Sequence, residues 1–511
     1  MKLTMADILE KLKSGERVDV ECKAAESTVP KSAYESYSAF ANTNGGYIFL
    51  GILENRKKKT FKERFEIQGI ANADNQIKDL WNTFNSNKVN VNILIDENIY
   101  PVTEGDVTVI VIDVPRADYK TKPVYIGENP YKGTFKRNYE GDYHATEYEI
   151  RAMIRDQYDG NDDMVVEYST MDDIDEETLK AYRQIFRIKN PDHVWSSYDD
   201  KRFLTMLGGY RKDKKKNIEG LTLAGLMMFG KGFSIRDEFS NIFMDYRDES
   251  DVSDDVRWND RITYDGTWEN NLFNFFTKVT RKLTADLPKP FKLDGMQRVD
   301  DTPVHKAVRE AFVNLIIHSD YLMDAGVLKV IKLSNGFAFS NPGLLKISKE
   351  EIYRGGNSRA RNPKMQTMLR MVGFGDNAGS GFPLILNTWK ENGWVEPELE
   401  ENFGLNQVTL TLSFEKQTLK TNDKKHMIKG QEKGQEKRQE KGQEIKERMK
   451  LVIDLIREDS SISVANIAKQ LELSDKKVRV AIDRLRDSGV LHREGNDRGG
   501  KWIINEDNLK S

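Results

Sequence analysis

A single cysteine, Cys22, stands in 511 residues. That scarcity excludes an intrachain disulfide and any zinc site built from cysteines, and it suits a reducing compartment. No run of about 18 apolar residues occurs, so no membrane-spanning helix and no membrane partner are expected. Residues 1–13 alternate polar and apolar side chains at helical spacing and lack the apolar core of a signal peptide. Cytoplasm is the expected location. An excess of either charge is also missing: 79 Lys and Arg face 82 Asp and Glu, a formal net charge of −3. No global basic field marks a nucleic-acid binder, so any such surface must be local.

The length exceeds what one core can organise, and three to four domains are expected at roughly 100–200 residues each. Hydrophobic residues make up 38% and charged residues 32%, as in globular domains joined by solvated segments. The segment 17–23 alternates, with Val18, Val20 and Cys22 on one side and Arg17, Asp19, Glu21 and Lys23 on the other. Period two predicts a strand with one buried and one polar face. A helix is expected over 31–41, then a turn at Asn44-Gly45-Gly46 into a buried strand over 47–52. Further strands are expected near 91–95, 107–114 and 131–138, closing an α+β unit at residue 155. Residues 156–290 read as a mixed connecting region, with a buried helix over 221–230 and a charged loop at 211–216. Residues 291–415 read as helix, strands and glycine-rich loops, ending in a strand at 408–414. From 416 to 447 the tetrad Lys429-Gly430-Gln431-Glu432 recurs, twice intact and once altered. Such a polar repeat buries no core and predicts a linker. A last domain occupies 448–511.

Three constellations carry chemistry. In the first, Glu21 and Lys23 share a strand face, Glu16 lies five residues before Glu21, and Glu54 follows the buried strand. Carboxylates converging there could hold Mg²⁺ or Mn²⁺, and a lysine could stabilise charge on a phosphate. A Glu–Lys pair at this spacing is otherwise an ordinary exposed pair. The runs Val20-Glu21-Cys22-Lys23 and Ala39-Phe40-Ala41-Asn42-Thr43-Asn44-Gly45-Gly46, with Gly51 beyond, resemble the Schlafen AlbA-like family. The resemblance covers residues 1–155 and implies an α+β nucleic-acid-binding domain. It maps the three acids of the family's nucleases onto Glu16, Glu21 and Glu54, with Lys23 beside them. Glu54 is one methylene longer than the usual Asp. Arg56, Lys57, Lys136 and Arg137 are the residues that would grip phosphates; the run 56–59 reads equally as a solvated loop.

In the second, Thr302-Pro303 starts a helix on which Val308, Ala311, Phe312 and Leu315 form the apolar stripe. Glu310 and Asn314 lie four apart on another face. The run Glu310 to Tyr321 resembles the N-box of the GHKL ATPase superfamily, which implies an α/β sandwich binding ATP with Mg²⁺. In that reading Asn314 offers an oxygen to the ion and Glu310 orients water. Asn341 and Gly343 fall where the adenine-contacting loop would be. Gly379 and Gly381 fall where a glycine-rich loop would approach the phosphates. His305 and His318 lie on the same helix without an assigned role.

The third is a helix-turn-helix over 464–488 followed by two short strands around a basic tip, which resembles the winged helix of transcriptional regulators. Val478, Ala481, Ile482 and Leu485 define its buried face. Lys476, Lys477, Arg479, Arg484, Arg493 and Arg498 are the expected DNA contacts; a protein-interaction module is the alternative. The whole therefore reads as an α+β multidomain chain: an AlbA-like domain, a GHKL-like sandwich and a terminal winged helix. Its expected partners are DNA or RNA and ATP or a related nucleotide, in a homo-oligomer. The expected function is an ATP-responsive nucleic-acid-binding regulator. The alternatives are a metal-dependent nuclease acting on RNA or single-stranded DNA, with phage defence as its role, and a scaffold.

Overall fold

In the computed structural model the chain divides into two compact units, residues 1–417 and 418–511. The structure describes residues 2–13, 19–55, 58, 64–139, 141–240, 242–252, 256–288, 293–294, 297–298, 301–323, 326–375, 381–417, 451–457, 459–471, 478, 481–482, 485–486, 490–494 and 501–505.

The first unit opens with α1 (Met5–Lys13) and a sheet of order β1-β2-β6-β5. Its strands are β1 (Val20–Lys23), β2 (Gly46–Leu50), β5 (Ile99–Glu104) and β6 (Val107–Val114). Strands β1 and β2 are parallel, joined through α2 (Lys31–Asn42); the other pairs are antiparallel. Alternation sends Ile48, Leu50, Ile110 and Ile112 into one core with Tyr37 and Phe40 of α2. Phe49 and Val111 enter a second core with Ile8, Leu12, Val20 and Cys22. Both faces of the sheet are therefore covered. Of the polar face expected for 17–23, Asp19 is exposed, but Glu21 is not solvated, at only 5% exposure. A hairpin of β7 (Phe135–Asn138) and β8 (Gly141–His144) packs against α2 and supplies the cover. A second hairpin pairs β3 (Ile52–Glu54) with β4 (Phe65–Ile67).

The run 39–46 explains itself in this setting. Asn42 donates to Val124 O (2.7 Å) and Phe135 O (2.9 Å) and accepts from Val124 N (2.8 Å), which staples α2 to the start of β7. Gly45 adopts φ +75° in the turn into β2, and a Cβ there would lie 2.7 Å from Val114 O. The strand expected over 91–95 does not form. Tyr37 Oη donates to Val91 O (3.0 Å) and accepts from Ile93 N (3.0 Å), so a side chain takes the place of a partner strand. Helix α3 (Ala73–Phe84) closes this core, and α4 (Glu147–Asp156) ends the segment.

Residues 156–290, read as a connecting region, belong to a core that runs from Val166 to Leu412. Helices α5 (Glu176–Lys189), α6 (Leu223–Phe229) and α7 (Leu272–Ala285) contribute to it together with α8 (Pro303–His318). Tyr182 is fully buried, edge-on to Phe229 and Phe273, and donates to Met368 O at 2.7 Å. The expected charged loop at 211–216 is the tip of a hairpin, β9 (Tyr210–Asp213) with β10 (Ile218–Leu221). The central sheet has six strands in the order β12-β11-β15-β16-β18-β17. These are β11 (Phe243–Asp248), β12 (Asp260–Ile262), β15 (Val327–Leu333), β16 (Gly336–Pro342), β17 (Glu398–Asn402) and β18 (Gln407–Ser413). Two of the six thus come from before residue 290. A two-residue hairpin, β13 (Leu293–Asp294) with β14 (Gln297–Arg298), intervenes. Helix α8 packs beside α9 (Pro363–Met371) and α10 (Gly381–Glu391).

In the second unit, residues 451–457 are helical, followed by α11 (Val464–Gln470). Strands β19 (Leu491–Glu494) and β20 (Lys501–Ile504) form an antiparallel ribbon. Val478, Ala481, Ile482 and Leu485 are buried with Trp502, as their spacing predicts. The repeat over 429–444 lies outside the described residues.

Candidate nucleic-acid and nucleotide sites

Three of the four acidic-cluster residues come together. Glu21 and Lys23 on β1 and Glu54 at the end of β3 line one recess, closed on the far side by residues 24–32. Glu16 lies outside the described residues. Each carboxylate is already matched. Glu21 Oε1 accepts from Lys23 Nζ (2.6 Å) and Glu21 Oε2 from Arg137 Nη1 (2.7 Å). Glu54 Oε1 accepts from Arg64 Nε at 2.6 Å. Arg137 also reaches Asp142 (2.9 Å) and Val20 O (2.8 Å), and Ser36 Oγ donates to Asp142 at 2.6 Å. Three carboxylates thus meet three cations in a near-neutral network. To ligate Mg²⁺ or Mn²⁺, Glu21 and Glu54 would have to leave these cations. Among the described residues no group of three or more His, Cys, Asp or Glu is placed to hold a metal.

The basic residues read as phosphate contacts divide. Arg137 is 1% exposed and aimed inward at Glu21, so it orients that carboxylate and does not meet solvent. Its neighbour Lys136 points to the opposite side of β7, where it pairs with Glu149. Alternation along the strand separates the two. Arg56 and Lys57 lie outside the described residues, as do Lys476, Lys477, Arg479, Arg484 and Arg498. Arg493 sits on β19 in register with Trp502.

A second site forms under the central sheet. Glu310 and Asn314 of α8, Asn341 of β16 and Gly381 at the start of α10 line one cavity of about 1000 Å³, part of it open to solvent. The spacing of four on α8 puts Glu310 and Asn314 on the same face. The loop after α9 returns to that face. A Cβ at residue 381 would fall 1.8 Å from Glu310 Oε1, so a larger residue there would push this carboxylate aside. Asn341 is buried, and its amide donates to Pro342 O at 3.2 Å. Gly379 lies outside the described residues. Gly343 lines a neighbouring cavity, not this one. It takes φ +94°, and a Cβ there would come within 2.8 Å of Arg361 Nη1. Its role is to admit that guanidinium.

The apolar wall of the central cavity comes from Phe339, Ile347, Ile352, Val408 and Leu410, the polar end from Asn357, Arg359 and Lys346. An apolar slot beside cations can take a flat ring with an anionic tail. The oxygens of Glu310 and Asn314 on one wall suit a hard cation accompanying that tail. Sequence patterns did not single out Arg359, Arg361 or Lys346; the run Arg359-Ala360-Arg361-Asn362-Pro363 just before α9 is the signal that was there. Arg361 is 3% exposed and forks onto Asp156 of α4 (2.8 and 2.7 Å), while donating to His318 O and Leu344 O. Burial, then Arg361 and Lys346, push the His318 imidazole down to about 4, so it is neutral at pH 7.

Residues 16–146 match the family model described as "Schlafen, AlbA_2". The chain carries a Schlafen AlbA_2 domain. Behind the Schlafen domain, residues 151–245 match a domain of unknown function. Residues 330–412 match "Putative ATP-dependent DNA helicase recG C-terminal", an ATPase-type domain. Helix α8, with Glu310 and Asn314, precedes that match. Residues 446–491 match "Winged helix-turn-helix DNA-binding", so the α+β multidomain architecture holds from end to end. Nothing matches among curated proteins. Among solved structures, the DIP2311 protein from Corynebacterium diphtheriae is 18% identical over 98% of this chain and 94% of its own, with a TM-score of 0.39. The N-terminal domain of a RecG-related protein from Nitrosomonas europaea is 28% identical over 27% of this chain and 89% of its own, with a TM-score of 0.23. No helix among the described residues is long and apolar enough to cross a membrane.

Proposed function

We propose that this chain is a nucleic-acid-binding regulator whose central domain responds to ATP or a related nucleotide. One observation carries the reading: Glu310, Asn314, Asn341 and Gly381, drawn from three separated stretches, line a single cavity with an apolar wall and a cationic end. Contact with DNA falls to the winged helix, and the Schlafen domain supplies a second nucleic-acid surface. In this reading the base lies against Phe339 and Val408, Arg359 and Lys346 face the phosphates, and Asn314 offers its oxygen to the accompanying Mg²⁺. The Schlafen recess supports binding better than cleavage, because Glu21 and Glu54 are committed to Arg137, Lys23 and Arg64.

The test is calorimetric titration of the full chain with ATP and Mg²⁺, alongside gel retardation of duplex DNA with and without nucleotide. Asn314→Ala should weaken ATP at least tenfold, a loss of about 1.4 kcal/mol, and remove the nucleotide effect on DNA retention. Absence of ATP binding to the unmodified chain would sink the proposal. Mn²⁺-dependent cleavage of RNA or single-stranded DNA that disappears in Glu21→Gln would replace it with the nuclease reading.

A further inference from the structure

Where the Schlafen domain meets the central sheet, a second cavity of about 760 Å³, part of it open to solvent, lies between them. Asn42, Tyr119, Lys122 and Lys136 line it from one side; Asp320, Lys346, Phe403 and Asn406 line it from the other. The charges around it are paired across or within the interface. Arg116 reaches Glu401 at 2.6 Å, Arg361 reaches Asp156 at 2.7 Å, and Lys346 reaches Asp159 at 3.2 Å. Arg155 pairs with Asp320 and Lys136 with Glu149.

Lys122 is the exception. Its residue is 9% exposed, and its ammonium donates to Asn42 O at 2.7 Å but forms no ion pair among the described residues. An ammonium has three N–H donors, and burying one with a single acceptor costs several kcal/mol unless an anion joins it. Asp156, Asp118 and Glu401 are near enough to favour its charge, yet burial and Arg116 hold its proton affinity well below that of an ordinary lysine. Lys346, on the opposite wall, is also held down, chiefly by burial. Two lysines from two domains therefore border one cavity, Lys346 with Asp159 as its partner and Lys122 with no ion pair among the described residues.

We propose that this interdomain cavity is a binding site for a small oxyanion, a phosphate or carboxylate group, held by Lys122 and faced by Lys346. An anion there supplies the missing acceptors for Lys122 and bridges the two domains.

The proposal shares Lys346 with the nucleotide reading, so its test varies Lys122 and Asn314, each of which lines only one of the two cavities. The full chain is titrated with inorganic phosphate, and separately with acetate, followed by calorimetry. At least one anion should bind the unmodified chain, and Lys122→Met should weaken it tenfold or more while leaving ATP affinity within twofold. Asn314→Ala should leave anion binding unchanged. Phosphate alone identifies a phosphate site, acetate alone a carboxylate site. Should Lys122→Met fail to fold, reductive methylation of the unmodified chain decides: the effective anion should slow modification of Lys122 at least threefold. No binding of either anion, equal binding to Lys122→Met, or unprotected Lys122 would each overturn the assignment.

Discussion

Asp162 sits at zero exposure with Oδ2 accepting from Lys364 N (2.8 Å) and Met365 N (2.9 Å) at the head of α9, while Oδ1 has no hydrogen-bond partner among the described residues. Burial raises its carboxyl to about 7 against those two hydrogen bonds. Between pH 3.8, the ordinary value, and about 7, the folded chain holds a proton that the unfolded chain has released. Stability from this group is therefore complete at low pH and falls as pH rises through that window. His318 acts with the opposite slope. Its folded value of about 4 lies below the ordinary 6.5, so its contribution is lost as pH falls from 6.5 to 4. Asp162→Asn should raise the unfolding free energy from urea titration at pH 8, by on the order of 2–4 kcal/mol from the size of the shift, and leave it nearly unchanged at pH 4. His318→Gln should flatten the acid limb only.

At the scale of elements, α8 and α10 define the nucleotide cavity because glycine at the first position of α10 lets them close on Glu310. Gly381→Ala places a methyl on Glu310 Oε1, and we expect ATP affinity to fall at least tenfold with a smaller change in the urea midpoint. Equal ATP affinity in this variant would mean that the loop rearranges freely. Helix α8 and strands β2, β6 and β18 were legible in the sequence, because amphipathic period and apolar runs are local properties. The strand expected over 91–95 was not there, because the backbone carbonyl of Val91 and amide of Ile93 are satisfied by the Tyr37 hydroxyl, from a helix more than fifty residues away. The hairpin at 210–221 was missed for the converse reason. Lys212, Lys214 and Lys215 mark solvent exposure, which a hairpin tip shares with a loop.

Across the first unit, four cross-domain ion pairs join the Schlafen domain and its closing helix to the central sheet: Arg116–Glu401, Arg155–Asp320, Arg361–Asp156 and Lys346–Asp159. Arg361 is decisive, because it lines the nucleotide cavity while forking onto Asp156 of α4. Asp156→Ala strands a buried guanidinium and should cost about 3–5 kcal/mol by urea unfolding, whereas Glu147→Ala, which breaks the exposed Glu147–Arg151 pair on the same helix, should leave the midpoint unmoved. The sequence by itself determined which segments are helix, strand or polar repeat, and it marked Glu21, Glu54, Glu310 and Asn314 as candidates. Spacing and composition travel along the chain and need no partner to be read. Only the tertiary structure decided that Arg137 turns inward to neutralise Glu21, that Gly343 admits the Arg361 guanidinium, and that Lys122 has no ion pair among the described residues at a domain boundary. Those outcomes depend on which distant side chain arrives beside a charge, and burial then fixes how strongly the two must match.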